Sequence, residues 1–78
     1  MVEVFKTNVK DHVQANFLLY QLNKSFPAYE INFDLEDCDN ILRIESYTKT
    51  IDASQIVDIL NSHGFIAQIL PDIVEYTQ

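Results

Sequence analysis

The sequence predicts an α+β domain of the ferredoxin-like type, a βαββαβ sandwich in which two helices cover one face of a four-stranded antiparallel sheet. Apolar residues recur at the two-residue spacing of a strand or at the spacing of a helix, and these spacings follow each other in the order βαββαβ. The chain of 78 residues has no linker or repeat. Two helices separated by strands in this order pack on one face of the sheet. We expect residues 1–71 to form this single domain and residues 72–78 to be a C-terminal tail.

The first half of the chain predicts a strand, a helix and a strand. Val2–Thr7 is rich in β-forming residues, and residues 11–26 repeat apolar side chains at helical spacing until Pro27 stops the pattern. In residues 29–35 apolar and polar side chains alternate, which is typical of a strand with one buried face.

Two further strands are indicated by the turn residues around them. Residues 36–40 are rich in Asp and Asn, which tolerate turn geometry, so residues 29–35 and the strand at 41–47 should form a hairpin. Residues 65–70 are the last strand, which Pro71 closes.

The second helix has the clearest start and end signals. Asp52 is placed as its N-cap, with Gln55 three residues later. Gly64 suits the left-handed position after a helix, and Phe65 can then fold back on Leu60.

Composition excludes several functional classes. The formal net charge is −7 with five Lys and Arg residues, which argues against nucleic acid, an RNA-recognition domain and an anionic membrane surface as partners. The lone Cys38 cannot form an internal disulfide, no apolar run is long enough to span a bilayer, and the N-terminus lacks the pattern of a signal peptide. We therefore expect a cytoplasmic protein.

Three stretches carry a family resemblance. They are the Leu18 and Leu22 pair, the hairpin sequences at 31–35 and 41–45, and Ser-His-Gly-Phe-Ile-Ala-Gln-Ile at 62–69. Together they resemble a heavy-metal-associated domain, the module of copper chaperones and heavy-metal-transporting ATPases, over residues 2–70. The resemblance implies the ferredoxin-like fold and a metal loop after the first strand.

That loop has lost its metal-binding cysteines. The family's Gly-Met-x-Cys-x-x-Cys pattern falls on residues 8–14, which puts Asp11 and Gln14 at the two cysteine positions. Monovalent copper prefers thiolates, so the family's transport chemistry is not carried over. The alternative interpretation is structural, because an N-cap Asp followed by Gln three residues later is a capping-box pattern.

A replacement metal site is a second hypothesis. Because consecutive elements alternate in direction, the loop after the first strand, the hairpin and the turn after the second helix should share one pole. That pole would collect Asp11, His12, Cys38 and His63, a donor set that suits zinc in principle. The donors come from three loops without a recognised ligand spacing, so we expect no metal or cofactor. A divergent metal-binding or metal-sensing protein is the alternative function.

Enzymatic function has no support in the sequence. Acidic neighbours should raise the pKa of the Cys38 thiol and weaken it as a nucleophile, and no Ser/His/Asp or Cys/His constellation is readable. The acidic loop around Cys38 is interpreted as a solvated turn, or as a recognition surface for a basic partner. A small-molecule regulatory domain of the amino-acid-binding kind is a more distant alternative, but it usually has glycine in the first strand–helix turn, where residues 8–10 have none.

The first helix has more apolar surface than its fold needs. Its core face is expected to comprise Ala15, Leu18, Leu19, Leu22 and Phe26. Val13, Phe17, Tyr20 and Lys24 fall on the opposite side. A second apolar stripe there predicts an interaction surface made by Val13, Phe17 and Tyr20, occupied by a protein partner or by a second copy in a homodimer. Alternatively, Ile73, Val74 and Tyr76 of the tail cover it, or these are scattered surface apolar residues. We therefore expect a non-enzymatic protein-interaction module.

Overall fold

The fold was analysed in a computed structural model, which describes residues 1–36, 40–47 and 50–70. The elements are β1 (Val2–Thr7), α1 (His12–Ser25), β2 (Glu30–Asp34), β3 (Ile41–Glu45), α2 (Ala53–Ser62) and β4 (Ala67–Ile69). This order confirms the predicted βαββαβ arrangement.

The four strands form one antiparallel sheet in the order β2-β3-β1-β4. The two longest pairings join β3 to β1 and to β2 over five residues each, and β4 pairs with the end of β1 over three. The sheet and its two helices make this an α+β domain of the ferredoxin-like type, as the sequence predicted.

The core lies between the sheet and the helices. Phe5 is opposite Leu42 and Ile31 is opposite Ile44, so these four side chains share one sheet face, and all are 8% exposed or less. The helices add their own fully buried side chains, which are Leu18 and Leu22 of α1 and Ile56 and Leu60 of α2. The alternation in β2 is as predicted, because Glu30, Asn32 and Asp34 are exposed.

Asp52 caps the N-terminus of α2 as predicted. Its carboxylate accepts from the backbone N–H of Gln55 at 3.3 Å. Ile51 before the cap and Ile56 in the second turn are both buried in the core cluster, which fixes the direction in which the chain enters the helix.

Gly64 ends α2 in a Schellman motif. Its φ of 87° is in the left-handed region. The backbone N–H of Phe65 donates to the carbonyl of Leu60 at 2.9 Å, and that of Gly64 donates to the carbonyl of Asn61 at 3.0 Å. Phe65 is thereby turned back onto the core, which it contacts while half-buried.

The last strand is shorter than the sequence predicts. It begins at Ala67 and not at residue 65. The backbone N–H of Phe65 is bonded to the end of α2, and the backbone N–H of Ile66 donates to Oδ1 of Asn8 at 2.8 Å. Neither residue therefore pairs with β1 in the sheet. A side chain that is distant in sequence but adjacent in the fold thus sets where β4 starts.

Candidate functional site

The predicted shared pole is present in the described part of the chain. The end of β1 contacts the end of the hairpin loop, because Thr7 donates from its backbone N–H and from Oγ1 to the carbonyl of Asn40, at 3.2 and 2.7 Å. The loop after β1 contacts the turn after α2, because the backbone N–H of Ile66 donates to Asn8. The hydrogen bonds of Asn8 and Thr7 were not predicted, because no local sequence pattern marks a side chain that bonds to a distant backbone group. Cys38, which was assigned to this pole, lies outside the described residues.

Asp11 and Gln14 cap α1. Oδ1 of Asp11 accepts from the backbone N–H of Gln14 at 2.8 Å, and Oε1 of Gln14 accepts from the backbone N–H of Lys10 at 2.9 Å. The second bond reaches one residue before the N-cap, so this is a variant of the capping box. Val9 is fully buried and fixes the preceding loop to the core. Asp11 and Gln14, which the sequence resemblance aligns with metal-binding cysteines, thus stabilise the helix start.

Removing this cap should cost measurable stability. We expect Asp11→Ala to reduce the free energy of unfolding by about 0.5–2 kcal/mol, because the N–H of Gln14 loses its acceptor. Asp11→Ser and Asp11→Asn keep an acceptor and should be nearly neutral. Denaturant unfolding measures the stability of all three variants. Equal decreases in the free energy of unfolding would mean that the carboxylate charge matters and that the capping explanation is wrong.

The two histidines differ in their surroundings. His12 is exposed at the first position of α1. His63 is the C-cap of α2, and its ring meets the ring of Phe17 edge-on, with centroids 5.0 Å apart and planes at 88°. Within residues 1–36, 40–47 and 50–70, no three His, Cys, Asp or Glu side chains are grouped closely enough to hold a metal ion.

We predict that the purified protein binds neither copper(I) nor zinc tightly, because the thiolate pair is missing and Asp11 is engaged in capping. Competition against a chromophoric chelator measures this, with Asp11→Ala, His63→Ala and Cys38→Ser as comparison variants. Stoichiometric submicromolar binding that one of these substitutions abolishes would establish the metal-binding alternative.

The apolar stripe of α1 is exposed. Val13 is 79% exposed, Phe17 45% and Tyr20 62%, whereas Ala15 and Leu18 on the other side of the helix are 3% and 0% exposed. We call Val13, Phe17 and Tyr20 the α1 stripe. The helical period predicted this partition correctly. Residues 73, 74 and 76, which were considered as a cover for the stripe, lie outside the described residues.

Neighbouring side chains hold the two aromatic residues of the stripe. The ring contact with His63 joins Phe17 of α1 to the end of α2. The ammonium of Lys24 lies 5.3 Å from the centroid of the Tyr20 ring, which is within cation–π range. Each ring thus contacts one neighbouring side chain at a surface where large apolar side chains are exposed.

A surface pocket of about 180 Å³ lies at the opposite pole, lined by residues 25–29. Phe26 and Tyr29 stack there with centroids 5.1 Å apart. The hydroxyl of Tyr29 donates to the carbonyl of Thr50 and accepts from the backbone N–H of Asp52, which ties this turn to the start of α2. The volume is below the range of small-molecule sites, about 300–1,000 Å³, so the turn is structural.

The sheet face away from the helices carries opposed carboxylates. Glu30 and Glu45 are directly opposite in the register of β2 and β3. The hydroxyl of Tyr47 donates to Oε1 of Glu45 at 3.1 Å, and this bond, together with the negative charges of Glu30 and Glu45, raises the pKa of Tyr47. Like charges directly opposite each other are unfavourable in a sheet, so a second acidic surface would not pack here.

The fold and the candidate site define a ferredoxin-like α+β domain with an exposed apolar stripe on its first helix. The chain matches no protein-family model, no curated protein and no solved structure. In the described residues no helix has both the length and the apolar character needed to cross a membrane.

Proposed function

We propose that this is a non-enzymatic protein-interaction module whose binding surface is the α1 stripe. The observation that carries the proposal is the exposure of three large apolar side chains on consecutive turns of a helix whose other face already fills the core. Apolar side chains gathered in this way typically mark a protein contact, whereas single exposed ones are common. Aromatic side chains also suit binding, because they have few rotatable bonds and lose little conformational entropy when they are covered.

The proposal includes the heavy-metal-associated resemblance, with the metal function lost. Its support is the sequence pattern and the capping role of Asp11 and Gln14, which occupy the positions of the two metal-binding cysteines. We place the protein in the cytoplasm, on the basis of its single cysteine. Its partner is a protein and not a nucleic acid or a membrane, since the net charge of −7 disfavours polyanions.

Site-specific photocrosslinking in cells of the source organism tests the proposal. We expect a photoreactive benzoylphenylalanine in place of Tyr20 to give a discrete adduct of defined mass, with itself or with another protein. The matched control is the same group in place of Asp58, which is exposed on α2 away from the stripe. Absence of an adduct at position 20, or the same adducts at both positions, would contradict the proposal.

A further inference from the structure

The exposed side of α1 has the spacing of a coiled-coil seam. Val13, Phe17, Tyr20 and Lys24 are separated by four, three and four residues. This is the alternation of a and d positions through which two helices pack side by side. The core face of α1 is already occupied, so this second seam is available for a helix outside the domain.

Charge favours a second copy of this chain as that helix. The chain has a net charge of −7, yet α1 contains no acidic residue and carries Lys24 in its last turn. In contrast, α2 carries Asp58, and β2 carries Glu30 and Asp34. Two identical acidic proteins repel each other across most surfaces, and α1 is a face on which they can meet without opposing carboxylates.

We propose, on the basis of the interaction function assigned above, that two copies pair through antiparallel α1 helices. In an antiparallel seam a positions face d positions. The register centred between Phe17 and Tyr20 then places Phe17 against the partner's Tyr20, and Val13 against the aliphatic part of the partner's Lys24. Every member of the seam gains a neighbour, and the arrangement is symmetric, so it closes as a dimer.

The lysine also selects the antiparallel arrangement. In a parallel pair each residue faces its own equivalent, so Lys24 would meet the partner's Lys24 at the C-terminal end of the seam. In the antiparallel pair the two ammonium groups lie at opposite ends of the contact. Each ammonium can then approach the N-terminal end of the partner's helix, where the exposed Asp11 supplies a carboxylate.

The seam is short, so the dimer is weak. Residues 13–24 span about 17 Å of helix and supply four side chains, whereas standard stable interfaces use about 20–30 residues on each side. We expect a dissociation constant in the micromolar range or weaker, and a concentration-dependent equilibrium between monomer and dimer.

Sedimentation velocity over a concentration series from about 5 μM to 1 mM tests the dimer. The wild type should move toward the dimer sedimentation coefficient, while Phe17→Ser/Tyr20→Ser should remain monomeric with an unchanged circular dichroism spectrum. Should the double variant unfold, Tyr20→Lys gives the same test, because Tyr20 is 62% exposed in the monomer and the dimer would have to bury the new charge against the partner's Phe17. Asp58→Ser on α2 is the matched control and should associate like the wild type.

Disulfide trapping tests the orientation. In a Cys38→Ser background, Val13→Cys and Lys24→Cys proteins are mixed and oxidised, and intact mass distinguishes the products. The mixed disulfide should predominate by several-fold over either homodimer. Predominant homodimers would overturn the antiparallel register, and a wild type that is monomeric at 1 mM would overturn the dimer itself. In that last case an adduct of Tyr20 with a different protein in cells would leave the interaction function intact.

Discussion

Leu18→Ala is expected to destabilise this domain by about 2–5 kcal/mol, the range usual for truncating a buried leucine. Leu18 is fully buried between the helix and the sheet, so truncation removes buried methyl groups and leaves a cavity. A chain of 78 residues has a total stability of roughly 4–12 kcal/mol. The variant should therefore unfold at a melting temperature at least about 8 °C below that of the wild type, given about 4–8 °C per kcal/mol.

Val13→Ala is the matched control for this measurement. Val13 lies on the same helix at 79% exposure, and alanine has a higher helix propensity than valine. The free energy of unfolding of Val13→Ala should therefore stay within about 0.5 kcal/mol of the wild-type value. Both variants are measured by denaturant unfolding below the concentration at which copies associate. Similar losses at the two positions would mean that the inner and outer faces of α1 are misassigned.

Gly64→Ala should cost about 1–2 kcal/mol, the second largest effect, because a residue with a Cβ is strained at its φ of 87°. A Cβ added there would meet nothing within 4 Å, so the cost comes from the backbone and not from a clash. The Schellman bonds from Gly64 and Phe65 should weaken with it, which would show as faster amide exchange at those two residues.

Gly64→Asn is the comparison that separates backbone strain from other causes. Asparagine tolerates the left-handed region better than alanine, so Gly64→Asn should lower the free energy of unfolding clearly less than Gly64→Ala. Denaturant unfolding of the two variants measures this difference. If alanine were as stable as glycine, the left-handed end of α2 would be absent in solution.

The photocrosslinking and sedimentation experiments address different questions about the α1 stripe. The first asks whether this surface contacts any protein, and the second asks whether a second copy suffices. The salt dependence of the dimer distinguishes apolar contact from ion pairing. Salt screens the repulsion between two acidic copies, so dimerisation should be maintained or strengthened as ionic strength rises. A dimer held mainly by exposed ion pairs would instead dissociate.

The sequence by itself determined the order of elements and the ends of both helices. Asp11, Asp52 and Gly64 act on backbone groups within four residues of themselves, so their roles are readable from local spacing. The alternation in β2 and the helical period of α1 likewise depend on neighbours along the chain. For this reason the exposed α1 stripe was predicted, and the structure confirms its exposure.

Only the tertiary structure decided the contacts that join distant parts of the chain. Asn8 bonds to Ile66 across 58 positions, which shortens β4, and Phe17 meets His63 from another helix. No periodic pattern encodes such pairs, because each depends on how the sheet order brings the β1–α1 loop beside the α2–β4 turn. The sequence therefore determined which side of α1 is apolar and exposed, whereas the packing of α1 against α2 decided the contact that Phe17 makes with His63.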